Sequence, residues 1–483
     1  MAVDAKHPDY DDREGEWRMM RDCARGDKAV KDGGTTYLPM PTGFGGTTRG
    51  AAMWSAFKQR AEFPDILEPT LSGMVGLIHR SEALIEMPAS MEPLWERASK
   101  DGLTLESFHQ TITRELLLMG RYSILVDAAA GGSDLPYLCG YSAERLINWA
   151  PADLQDLYVL DETAAVFQED TFEWQDEKKY RVLRLIELPD GRRRYDQEVW
   201  DESMTRVEVV TPTARGNVAL GTIPFVVAGP VKLDVNPARP PLEGVARSSL
   251  AIYRLDADYR FQLHMTGQEM LVCQGVEPGK GPDPIGAGVT YEFTNTEANA
   301  KLYYVGPEGV GIDAHKAAIA AERSVAVAAG AKLFDMEREG VESGEALRIR
   351  AAAQTATLTT VAIASAQALE RGLRFIALML GLNPRAVNVK PNLQFIDTRM
   401  TPTQAKDLML LWQGGAISYQ TLYENLQRGE IASPERDHED EREMIEEETP
   451  DAPAVAEAPE GGDLEDDDVV TPPGQEEDED EAA

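Results

Sequence analysis

Positive charge is what this 483-residue chain most lacks: 47 Lys and Arg stand against 83 Asp and Glu, a formal net charge of −36. Holding nucleic acid through its phosphates requires clustered Lys and Arg, so a chain of this balance is not built to grip DNA or RNA. Cysteine is scarce as well. Cys23, Cys139 and Cys273 are odd in number, far apart and without a CxxC pair. That argues against a disulfide framework or a zinc site and fits a reducing, cytoplasmic setting. Of six histidines, His79, His109, His264 and His315 stand singly in expected helices or at a helix start, and His7 and His438 lie in ends expected to be mobile. Neither HExxH nor GxSxG occurs, and acid runs such as DERE at 440–443 read as solvated faces. No catalytic site, cofactor or metal is expected. The glycines of 33–46 are not followed by the G-K-[ST] that a phosphate loop needs, so that stretch reads as plain loop.

Long apolar runs are missing too. Residues 351–369 carry no charge and approach bilayer length, but Gln354, Thr355, Thr357, Thr359, Thr360, Ser365 and Gln367 dilute them, so they read as a closely packed helix. The first residues are polar and acidic rather than basic then apolar, so export by a signal peptide is not expected.

What is present is size, order and an acidic tail. The length suits two to four domains with real cores. From 434 to 483 there are 23 acidic residues against Arg436 and Arg442, a net of −21, which leaves −15 for the remainder. With Pro450, Pro453, Pro459, Pro472 and Pro473 and little to bury, this tail is expected to be disordered.

The patterning reads as α+β. A short helix is expected around Trp17, Met20 and Cys23, and another from Pro69 to Arg80 with Leu71, Val75 and Ile78 on one face. Thr104 is placed to cap a helix whose stripe is Leu105, Phe108, Ile112, Leu116 and Met119, with Gly120 as its stop. The next residues, RYSILVD, switch to strand. Between 180 and 210 three strands read as an antiparallel meander, the first turn marked by Pro189, Asp190 and Gly191. A proline cluster from Pro224 to Pro241 closes this region. A helix of six to seven turns follows, with Leu250, Tyr253, Ala257, Phe261, Met265 and Gln268 on one stripe. A Gly- and Pro-rich excursion holds two strand-like pieces, VTYEFT and AKLYYV. Helix returns at Asp313, breaks near Gly330, and resumes after Gly344 with Leu347, Ala351, Leu358, Val361, Leu369, Leu373, Ile376 and Leu380 along one face.

This order resembles the core of tailed-bacteriophage portal proteins. PYLCGYSAERLINWAPADL (136–154) and WRMMRDCARGDKAVKDGGTTYLP (17–39) are similar to segments of a portal-like family formerly catalogued as a domain of unknown function, and YYVGPEGVGI (303–312), ESGEALRIR (342–350) and GAISYQTLYENLQRGEI (415–431) look like portal features. The resemblance implies a mixed α/β wing over 1–242, a stem helix over 243–271, a small β-containing clip over 272–312 and a second stem helix over 313–329. A tunnel loop over 330–343, a long helix over 344–382, a helical crown over 383–433 and the acidic tail complete it. Lys332, Phe334, Asp335, Met336, Glu337, Arg338 and Glu339 are the residues it would turn toward DNA.

The function so implied is a homo-oligomeric ring, commonly a dodecamer, at one capsid vertex of the virion, assembled in the host cytoplasm. It would conduct double-stranded DNA during genome packaging and ejection, without sequence specificity. It would dock the terminase large subunit, the major capsid and scaffold proteins, and head-completion or adaptor proteins of the head–tail connector, with no membrane. An acidic wall suits such a conduit, because each neutralised phosphate adds salt-dependent affinity and hence drag. The alternative reading is an acidic scaffold or other virion-associated interaction protein. The ordered mixed region, rich in tryptophan, weighs against it.

Overall fold

The computed structural model describes residues 3–127, 135–151, 156–267, 270–274, 301–305, 309, 311–330, 344–393, 395, 402–428, 431–433 and 436–448. The chain divides into two compact units, Met1–Ile396 and Asp397–Ala483, and the class is α+β.

The first unit opens with α1 (Pro8–Arg25), α2 (Asp27–Asp32), α3 (Thr48–Arg60), α4 (Leu67–Ile78), the short strand β1 (Leu84–Glu86) and α5 (Leu105–Met119). Ends of these helices follow from local chemistry. Thr104 accepts a hydrogen bond from the Ser107 amide and Gly120 takes the left-handed conformation at φ 69°, so α5 starts and stops where its cap residues require. His7 accepts from the Asp9 amide at the start of α1 and stacks on Trp149, ring centroids 4.0 Å apart. The expected mobility of this end is thereby corrected: a flat imidazole on an indole face fixes it.

Strands follow from Tyr122 onward: β2 (Tyr122–Asp127), β3 (Tyr137–Ser142), β4 (Leu146–Trp149), β5 (Leu157–Asp161), β6 (Ala164–Gln168), β7 (Glu173–Glu177), β8 (Tyr180–Glu187), β9 (Arg193–Trp200), β10 (Arg206–Val210), β11 (Thr213–Ala214), β12 (Val218–Ala219) and β13 (Phe225–Ala228). The expected meander is present as β8, β9 and β10, and it extends through β5 to β4 in one antiparallel sheet ordered β10-β9-β8-β5-β4. Gly191, at φ 79°, supplies the turn between β8 and β9. A second sheet, β13-β2-β3, is antiparallel with Ile124 opposite Gly140 and Val226.

Beyond the prolines come α6 (Glu243–Thr266), β14 (Met270–Gln274), β15 (Lys301–Val305), α7 (Ile312–Ala329), α8 (Gly344–Met379) and β16 (Asn388–Lys390), which pairs with β1. The core lies between α5, the β2 sheet and the second half of α8. Leu105, Phe108, Ile112, Leu116 and Met119 of α5 and Leu358, Val361, Leu369, Leu373 and Ile376 of α8 are all buried. Each such side chain contributes about 1.5–3 kcal/mol of burial free energy. The indole N–H of buried Trp17 donates to the Met119 carbonyl at 3.0 Å, tying α1 to this core.

Two expected spans differ. The helix begun at Glu243 stops at Thr266, not 271: Gly267, a poor helix former, follows it and donates its amide to the Leu263 carbonyl as the cap. In the second unit, α9 (Pro402–Gln413) and α10 (Tyr419–Arg428) are followed by α11 (His438–Glu448), where the sequence reading had a disordered tail. Asp437 accepts from the Glu439 and Asp440 amides, and acidic residues fill the first turn, where a helix favours negative charge. His438 therefore begins a helix. VTYEFT (289–294) and residues 449–483 lie outside the described residues.

Candidate conduit and assembly surfaces

The segment of interest is the helix pair α6 and α7 with what each end carries. The two helices run antiparallel, and glycine sets their approach at both ends. A Cβ on Gly244, in the first turn of α6, would lie 3.1 Å from the Ala329 Cβ in the last turn of α7. At the other end, one on Gly311 would strike the Gln262 amide. Beyond that far end β14 and β15 pair antiparallel, Met270 opposite Val305 and Gln274 opposite Lys301. The helix pair thus carries a β ribbon away from the core.

This projection is thinly packed within one chain. Ala326 is the buried residue of α7, while Val325 is 52% exposed. On the ribbon Tyr303 and Tyr304 face outward at 44% and 59%. Leu263 and Met265 near the end of α6 are exposed as well. An alanine-rich helix, its neighbour's end and the ribbon thus leave several large apolar side chains in water within one chain.

The near end of the pair is fixed. Gly330 closes α7 at φ 152°, and the space beside its Cα is bounded by Leu242, Met74 and Val245. Glu243, nearly buried, accepts from both Arg239 and Arg247, which holds its carboxyl below the usual range despite burial. Lys332, Phe334, Asp335, Met336, Glu337, Arg338 and Glu339 lie in 331–343, outside the described residues; Gly330 and Gly344 stand on either side.

At 36 residues α8 spans roughly 54 Å. Its second half is seated by specific contacts. Gly372 brings it against the β2 sheet, where a Cβ would lie 3.3 Å from Leu138. Glu370 accepts from the Val389 amide at 3.0 Å, and Arg374 donates to the Val387 carbonyl at 3.2 Å. Ser365 hydrogen-bonds the His109 ring at 3.2 Å.

That last contact belongs to a pair the sequence did not bring together. His79 and His109, taken singly there, meet edge to face with centroids 4.7 Å apart, and His79 also hydrogen-bonds Thr113. Burial pushes His79 down to about 4; burial and then the neighbouring His79 push His109 down to about 3. Both are neutral at pH 7 and lock α4, α5 and α8 together. Their spacing of thirty residues carries no periodic signal. Among the described residues no group of three or more His, Cys, Asp or Glu could hold a metal ion, and no helix is long and apolar enough to cross a membrane.

Residues 241–379, which span α6 to α8, match the family described as a domain of unknown function, DUF4055. A family of unknown function is thus matched over this segment, while 17–39 and 136–154, two stretches that resemble such a family in sequence, lie outside the matched residues. No curated protein matches the chain. Two solved structures are similar to it. The neck of native GTA particle computed with C12 symmetry shares 12% identity, covering 76% of this chain and 90% of that one, with a TM-score of 0.36. The neck of empty GTA particle computed with C6 symmetry shares 13% identity, covering 84% of this chain and 99% of that one, with a TM-score of 0.39.

Proposed function

We propose that this chain is a portal subunit: a non-catalytic virion protein that closes into a ring, of twelve copies, at one capsid vertex and conducts double-stranded DNA in and out. The observation that carries the reading is the order α6, β14–β15, α7, the 331–343 segment and α8. A helix pair bearing a distal ribbon returns to the core and leads, through a short connection, into one long helix. In this reading α6 and α7 are the stem, the ribbon belongs to the clip that meets the terminase and later the head-completion proteins, and 331–343 is the tunnel loop. The α+β region before Leu242 is the wing toward the capsid and scaffold proteins, and α9 and α10 belong to the crown.

The physics of the projection favours assembly. A helix with one buried residue gains packing by joining a neighbour, and a copy-to-copy contact between unlike faces closes a ring when its rotation permits. The connection itself is electrically restrained: Lys332 and Arg338 stand with Asp335, Glu337, Glu339 and Glu342, which suits transient contact with a sliding duplex. Shortening 331–343 tests the assignment. The ring should form with an unchanged number of subunits while DNA packaging or retention fails; packaging at the native level would remove DNA contact from this segment.

A further inference from the structure

Two surfaces outside the proposed stem and tunnel loop match one another. The first is the ribbon β6–β7, which pairs with no larger sheet among the described residues. Phe167 and Trp174 are direct cross-strand partners, centroids 5.4 Å apart, and Phe172 leans against Phe167 at 6.2 Å. Trp174 is 69% exposed and Phe172 79%. Phe172 also sits at φ 56°, a conformation that disfavours a bulky side chain, and so holds an aromatic outward at a cost in strain. Around it Glu169, Asp170, Glu173, Asp176 and Glu177 have no ion pair among the described residues. A two-stranded ribbon is marginal alone, and this one presents an aromatic face rimmed by free carboxylates.

The second surface is α3. From 33 to 61 the sequence has no acidic residue, in a chain of net charge −36, and among the described α-helices α3 alone carries neither Asp nor Glu. Its inner side is occupied: Phe57 packs edge to face with Phe44 and Phe261. Two of its three cations are engaged, Lys58 over Trp54 and Arg60 with His264. Arg49 remains outward without an ion pair among the described residues, beside exposed Met53, and Met40 of the preceding loop is exposed too.

We propose that the aromatic face of β6–β7 docks on the α3 face of a second copy of this chain. Trp174 and Phe172 meet Met40 and Met53, and Arg49 meets the ribbon carboxylates. Thioether sulfur on aromatic rings is a favourable contact, and the opposite charges select the pairing over ribbon on ribbon, which would repel. Donor and acceptor faces differ, so the contact passes from copy to copy in one sense, as a closed ring needs. This inference rests on the ring proposed above.

The test uses the full chain with Met53→Cys and Trp174→Cys, separately and together, treated with a short bismaleimide. An equal mixture of the single variants should give a covalent dimer and the double variant a ladder, with neither single variant crosslinking above the native chain. A ring established by mass in which neither the mixture nor the double variant crosslinks overturns the docking and leaves the ring intact. A chain that stays monomeric both alone and when co-expressed with capsid and scaffold proteins overturns both. Arg49→Glu, on an exposed position that should not disturb folding, should raise the concentration needed for assembly about tenfold, and Glu173→Lys in the same chain should restore it. Failure of that restoration, with Arg49→Glu disruptive, also counts against the pairing.

Discussion

Protonation of the histidine pair is the clearest cost a single site can impose on this fold. His79 and His109 are held neutral beside one another, with folded values of about 4 and about 3 against 6.5 when free. Because both values are depressed, the unfolded chain binds more protons between pH 6.5 and 3, and stability present above pH 6.5 is lost as pH falls through that window. Thermal unfolding followed from pH 7 to 4 should show a steepening loss, on the order of a few kcal/mol in all. His109→Gln, which keeps a partner for Ser365, should flatten the profile; an unchanged profile would place the acid sensitivity elsewhere. A second residue-scale test concerns Gly140. A Cβ there would overlap the Tyr122 hydroxyl, a rigid ring end held against Phe108. Gly140→Ala should destabilise by about 1–3 kcal/mol. Adding Tyr122→Phe should recover part of that loss in denaturant titration, and strict additivity of the two changes would exclude the clash.

At the scale of elements, legibility followed the range of the signal. Helix α5 could be read residue by residue because its stripe, its Thr104 cap and its Gly120 stop are all local. The β8–β10 meander could be read because Asp190 and Gly191 mark a turn. The addition of β5 and β4 to that sheet, and the pairing of β1 with β16 across some 300 residues, depend on contacts that no local pattern encodes. The same holds for the candidate site. Helices α6, α7 and α8 were visible through periodicity, whereas the seven residues placed toward DNA came from resemblance and fall outside the described residues. The ribbon β6–β7 went unread because a short exposed hairpin rich in acid lacks hydrophobic alternation. Gly244 offers an element-scale prediction. Gly244→Val should wedge α6 from Ala329, raising hydrogen exchange in the last turns of α7 while leaving exchange in α5 at its native rate. Equal change in both helices would mean global destabilisation instead.

For the whole molecule, charge and exposed apolar surface bear on the proposed ring together. The chain carries a strongly acidic balance, and a helix pair and ribbon whose apolar surface a single copy leaves in water. Both make sense in a ring that lets DNA pass, and neither is needed by a monomer. An acidic scaffold would account for the charge but not for a long helix locked into an α+β core by Ser365, Glu370, Gly372 and Arg374.

The most direct test is the mass and symmetry of the purified full chain, measured by light scattering and electron-microscope class averages, alone and co-expressed with capsid and scaffold proteins. The account predicts a closed ring near twelve times the 53.1 kDa of one chain, with a central channel wide enough for duplex DNA. No ring under either condition would contradict it and leave the interaction-protein reading in its place.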